Sequence, residues 1–160
     1  MKNVLVTGGA GFIGSNFVRY LLRNEPRVEV FNLDALTYAG SLKNLEQLIC
    51  PQQHHFIHGD ICDRMLVESI LRDRRIDTIV HFAAESHVDR SILGPSQFVQ
   101  TNVVGTFTLL EAARQVWLIE KLLPIEMLRF HHISTDEVFG SLTNNAPAFT
   151  ELTPYSPNSP

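Results

Sequence analysis

Little in this chain invites covalent cross-linking or metal chemistry. Its 160 residues hold two cysteines, Cys50 and Cys62, in no metal-ligand spacing. That excludes a disulfide scaffold and suggests a reduced, cytoplasmic protein. Long apolar runs are absent. The first, Val4 to Val6, is cut by Thr7-Gly8 and is too short for a signal peptide or a membrane span, so no membrane partner is expected. Basic clusters are absent too, and the net charge is −4, which argues against a nucleic-acid surface. No repeat or low-complexity tract stands out. The histidine pairs His54-His55 and His131-His132 are neighbours in strand-like segments, so their side chains face opposite ways and no shared metal is expected. His81 and His87 read as ordinary buried or surface histidines, and Trp117 as packing.

The chain does carry a globular balance, 44% hydrophobic and 19% charged, enough for one domain with a core. Its organising stretch is Val4 to Gly14, a short apolar run ending in Gly8, Gly11 and Gly14. An ordinary strand-to-helix turn could look like this. So does a loop that turns sharply out of a strand, lets a diphosphate approach the backbone and packs a helix close to the sheet. Strand one is predicted at Asn3 to Thr7. A helix follows from near Gly11 to Asn24, with Ile13, Phe17 and Leu21 as its sheet-facing stripe. Arg27 to Leu33 reads as strand two, ending at Asp34, 20 residues after Gly14. An acidic side chain there accepts ribose hydroxyls and repels a 2′-phosphate, favouring NAD over NADP.

Ser41 is expected to cap a short helix through about Ile49. Strand three is His54 to His58. Asp60 beyond it either meets an adenine edge or caps the next helix, Asp63 to about Arg72. Strand four is Asp77 to Phe82, ending in the small residues of Ala83-Ala84-Glu85-Ser86, which leave room for a ligand. A long helix from about Ser96 to Glu120 places Val99, Val103, Thr106, Leu110, Ala113 and Trp117 on one face. Phe98, Val104, Phe107 and Leu109 widen that face, which predicts cover on more than one side or a partner, such as a second copy in a homodimer. Strand five is Met127 to Ser134, followed by Thr135-Asp136-Glu137. Four of the last 14 residues are proline, so 141–160 reads as loop after a domain of residues 1–140. Alternating strands and helices predict an α/β doubly wound parallel sheet, Rossmann-like, about five strands in order 3-2-1-4-5. Asp136 and Glu137 at strand five's carboxyl end supply an acid and a base for elimination beside a ketone, or they merely start a loop or cap a helix.

Together, TGGAGFIGSN (Thr7 to Asn16), DALTYAGSLKNL (Asp34 to Leu45), GDICD (Gly59 to Asp63), HFAAESHVDRSI (His81 to Ile92), TNVVGT (Thr101 to Thr106) and FHHISTDEVFG (Phe130 to Gly140) make the chain resemble the dTDP-glucose 4,6-dehydratase family. That family lies in the extended short-chain dehydrogenase/reductase group. The first motif is shared by many nucleotide-sugar enzymes; HFAAESHVDRS with STDEVFG is more specific. The resemblance implies NAD as cofactor, dTDP-glucose as substrate, and a place in dTDP-rhamnose synthesis. The implied reaction is oxidation at C4, loss of water across C5 and C6, and hydride return to C6. Gly8, Gly11, Phe12, Ile13, Gly14, Asp34, Ala35, Leu36, Thr37, Asp60, Ile61, Phe82, Ala83, Ala84, Glu85 and Asn102 would then line NAD. Ser86 and Thr135 would touch the sugar, Asp136 would protonate the leaving hydroxyl and Glu137 would take the C5 proton. The family also needs a Tyr-x-x-x-Lys pair, which follows a segment like Pro154 to Pro160. None of Tyr20, Tyr38 and Tyr155 has a lysine four residues on. The expectation is therefore little or no dehydratase turnover from these 160 residues alone. A 4-epimerase is the alternative within the group, and a non-catalytic NAD-binding module the alternative outside it. Asp136-Glu137 argues against the epimerase, which eliminates no water.

Overall fold

The computed structural model describes residues 1–158; Ser159 and Pro160, the end of the proline-rich segment, lie outside it. Five parallel strands form one sheet in the order β3-β2-β1-β4-β5. They are β1 (Asn3–Thr7), β2 (Glu29–Asp34), β3 (His54–His58), β4 (Thr78–His81) and β5 (Arg129–His132). β1 sits between β2 and β4, with Val6 opposite both Asn32 and Val80. Its Val4-Leu5-Val6 run is wholly buried because both faces of the sheet are covered.

One face packs on α1 (Phe12–Asn24), through Val4, Val6, Val30 and Val80 against Val18, Leu21 and Leu22. The opposite face takes α2 (Arg64–Asp73) and a long helix over residues 96–119. There Leu5, Leu33 and Ile79 meet Val67, Ile70, Leu109, Ala112 and Val116. Trp117 belongs to this core and donates its indole N–H to the Ile76 carbonyl at 2.8 Å. Among the described residues no helix is long and apolar enough to cross a membrane.

Several expectations need correction. α1 turns Ile13 to solvent, while Phe17 and Leu21 of the expected stripe do pack on the sheet, joined by Gly14, Ser15, Val18 and Leu22. Ser41 does cap a helix, accepting from Lys43 N–H, but only a single 3₁₀ turn, Leu42–Leu45. No α-helix therefore joins β2 to β3. Asp63 caps α2 by accepting the Leu66 N–H at 3.0 Å; Asp60 does not cap it and instead accepts the Cys62 N–H at 2.8 Å. The sheet-bound face of the long helix is Phe98, Gly105, Thr108, Leu109, Ala112, Ala113, Val116 and Trp117. Val99, Val103, Phe107 and Leu110, assigned to the packed surface, are exposed instead. A further helix, α3 (Val88–Leu93), stands between β4 and the long helix. Strands two, four and five are each shorter than expected, beginning at Glu29, Thr78 and Arg129. Residues 141–158 carry turns only, and fold back where Ser156 N–H donates to the Val138 carbonyl at 3.0 Å.

Candidate functional site

A parallel sheet delivers every strand's carboxyl end to one edge, and five loops meet there. After β1 come the three glycines. Gly8 has φ +72°, and a Cβ on it would stand 2.6 Å from the Ala83 nitrogen. Only glycine lets the loop after β1 touch the loop after β4. A Cβ on Gly14 would overlap the Gly8 carbonyl oxygen and lie 2.9 Å from the Gly9 Cα, so Gly14 brings α1 close beneath the loop. Gly11 is different: its nearest neighbour would be Gly8 O at 3.3 Å, which demands little. It caps α1 without any side-chain bond, and no acidic residue lies in the first turn. The first N–H groups of α1 therefore face outward with the positive end of the helix dipole. Phe12 and Ile13 beside them are 82% and 64% exposed, large apolar surfaces left bare at a helix N-terminus.

Asp34 closes β2. Its Oδ2 accepts the Ala10 N–H and its Oδ1 the Leu36 N–H, both at 2.8 Å. The carboxylate thus fixes the glycine loop and the turn that holds Leu36 at φ +51°, with one further lone pair on each oxygen for a ligand hydroxyl. Ala35 and Thr37 are exposed beside it. Asp60 is exposed after β3, whereas the Ile61 side chain is in the core against Gly105. Only the backbone of Ile61 can meet a ligand.

The loop after β4 is clamped. Asn102 on the long helix accepts the Glu85 N–H and donates to the Glu85 carbonyl, both at 2.8 Å. Phe82, Ala83 and Glu85 are half-buried, Ala84 and Ser86 exposed. Beneath this loop lies a buried polar bridge that sequence reasoning missed. His81 Nδ1 meets Thr7 Oγ1 at 2.7 Å, and Nε2 meets Thr106 Oγ1 at 2.9 Å. Thr7 Oγ1 also accepts the Ala83 N–H at 3.4 Å. With the Thr7 hydroxyl donating to Nδ1, His81 donates through Nε2–H to Thr106. Burial, and then the nearby His132, push the His81 pKa down to about 4, so the ring is neutral at pH 7. Thr7 and His81 are paired across β1 and β4, a register that the sequence alone does not show.

After β5, Thr135 Oγ1 accepts the Glu137 N–H at 3.3 Å and starts a 3₁₀ turn, Asp136–Phe139. Thr135, Asp136 and Glu137 are exposed at the same sheet edge as the glycine loop. No His, Cys, Asp and Glu cluster suited to a metal occurs among the described residues. Cys50 and Cys62 are free thiols.

Fold and site together define a Rossmann-like domain of the short-chain dehydrogenase/reductase type. The family model described as GDP-mannose 4,6 dehydratase matches residues 5–160, and the chain belongs to that family. It is 52% identical over 159 residues to the dTDP-glucose 4,6-dehydratase of Neisseria gonorrhoeae, covering 99% of this chain and 46% of that protein. The solved dTDP-glucose 4,6-dehydratase of Streptomyces venezuelae, with NAD and TYD bound, superposes with a TM-score of 0.85 at 49% identity, covering 98% of this chain and 46% of that one. The Bacillus anthracis enzyme in complex with NAD gives a TM-score of 0.83 at 42% identity, covering 100% and 46%. The chain spans about half the length of the curated relatives it matches.

Proposed function

We propose that these residues form the NAD-binding part of a dTDP-glucose 4,6-dehydratase, a cytoplasmic lyase of dTDP-rhamnose synthesis. The observation that carries this reading is the convergence, on one sheet edge, of an open helix N-terminus, the Asp34 carboxylate and the Thr135-Asp136-Glu137 turn. The cradle fits the cofactor. Gly8 and Gly14, where a Cβ would collide with Ala83 and the Gly8 carbonyl, draw the loop tight against β4 and α1, and its N–H groups suit a diphosphate. Phe12 and Ile13 gain cover when a dinucleotide lies on them. Asp34 takes the ribose hydroxyls on its remaining lone pairs, and Asp60 and the Ile61 backbone border the adenine. Phe82 to Glu85 and Asn102 wall the crevice beyond.

NAD, when bound, supplies the hydride acceptor for C4 and the hydride donor for C6. The chain's own residues supply the proton chemistry. Thr135 donates a hydrogen bond to the oxygen at C4, and Ser86 holds the sugar beside it. A C4 carbonyl acidifies the C5 hydrogen, so Glu137 takes that proton as base. Asp136, as acid, gives a proton to the departing C6 hydroxyl, which leaves as water. The base for the C4 hydroxyl is not among these 160 residues, since no Tyr-x-x-x-Lys occurs in them. The outward stripe Val99, Val103, Phe107 and Leu110 supports a homodimer through the long helix.

The test is direct. The chain binds NAD but forms little 4-keto-6-deoxy product from dTDP-glucose by itself. Failure to bind NAD would overturn the reading, and product formation at an ordinary enzymatic rate would overturn the assignment of the missing base.

A further inference from the structure

Tyr38 lies in the loop after β2 and Arg90 in α3, after β4. The Arg90 guanidinium carbon stands 4.0 Å from the centroid of the Tyr38 ring. β1 separates β2 from β4 in the sheet. A contact between the loops that follow those two strands therefore crosses the carboxyl end of β1, above the glycine turn. Beside the contact is a cavity of about 450 Å³, bordered by Thr37, Glu85, Arg90, Gln97 and Phe98. Thr37 and Glu85 belong to the two walls of the dinucleotide crevice. Among the described residues Arg90 makes no ion pair, so its charge is held by the ring.

We propose that Arg90 and Tyr38 form a clasp across the dinucleotide crevice, and that its opening sets the rate at which the cofactor leaves. This rests on the NAD-binding reading above. The chemistry gives the clasp a purpose. Hydride taken from C4 is returned to C6, so one cofactor molecule must stay through the whole cycle. A cation stacked on an exposed aromatic ring is strong enough to keep such a clasp mostly shut and weak enough to open. Both side chains are exposed, so the pair contributes little to the core.

The test is NADH release from the 160-residue chain, followed by loss of NADH fluorescence after a chase with excess NAD. Arg90→Met and Tyr38→Leu should each speed release by about three- to tenfold, the range of an exposed to partly desolvated cation–π contact. The double variant should release no faster than either single one, because both break the same contact. Tyr38→Phe keeps the ring and should restore slow release. Thermal midpoints should stay within a few degrees throughout. Wild-type release rates in Arg90→Met and Tyr38→Leu, or effects that multiply in the double variant, would overturn the clasp. If the wild-type chain binds no NADH, the cofactor reading itself falls, and the clasp with it.

Discussion

Asp34 accepts the Ala10 N–H at 2.8 Å, so the acidic end of β2 holds the glycine loop after β1 in place. One side chain thus organises the cradle and, in the proposed reading, takes the ribose hydroxyls. Asp34→Asn keeps a single acceptor for two N–H donors, Ala10 and Leu36, and loses about 1–2 kcal/mol of stability. The same change removes the charge that repels a 2′-phosphate. Kd for NAD should rise and the preference for NAD over NADP should narrow, both read by titration. An unchanged NAD/NADP ratio would remove Asp34 from the ribose site.

Gly8 and Gly11 separate folding from binding. Gly8→Ala forces a Cβ against Ala83 at φ +72° and should destabilise the fold by on the order of 2 kcal/mol in urea unfolding. Gly11→Ala meets only the Gly8 carbonyl oxygen at 3.3 Å. Its thermal midpoint should stay within a few degrees while its Kd for NAD rises at least about tenfold, because the methyl group occupies the approach to the free N–H groups. Wild-type affinity in Gly11→Ala would place the diphosphate elsewhere.

His81 links stability to pH. Its folded pKa of about 4 lies below the ordinary 6.5. Between those values the unfolded chain binds a proton that the folded chain does not, so stability falls as pH drops from 6.5 to 4. The loss is at most on the order of 3 kcal/mol, and it is complete near pH 4. His81→Asn should be less stable at pH 7, since it cannot bridge Thr7 and Thr106, yet show a flatter pH dependence. Parallel curves for the two proteins would contradict the assignment.

Asn102 holds the loop after β4 by two bonds to Glu85. Asn102→Asp retains the acceptor and loses the donor, and should cost about 1 kcal/mol. NAD affinity should fall further than stability if the loop walls the crevice as proposed. Equal losses in both would reduce Asn102 to a structural role.

The strand order and the sheet edge carrying the site followed from residue chemistry. Val4-Leu5-Val6 is an apolar run that ends in glycines, Gly8 and Gly14 mark a close approach, and Asp34 ends the next strand. The phase of the long helix did not follow. Residues 99–105 and 114–119 are π-helical, with more residues per turn than an α-helix, so a stripe counted by three and four from the exposed Val99 reaches the buried face only at Ala113 and Trp117. Apolar residues on several sides of that helix hid the offset. The six residues of α3 are too few to show a period, and the Thr7–His81–Thr106 bridge joins three distant segments that only the fold brings together.

The central claim is that this chain builds a working dinucleotide cradle. Calorimetric titration of NAD into the purified 160-residue chain tests it most directly. Saturable binding at one site per chain, weakened by Gly11→Ala, is the expected result. Absence of saturable binding to a chain that unfolds cooperatively would contradict it.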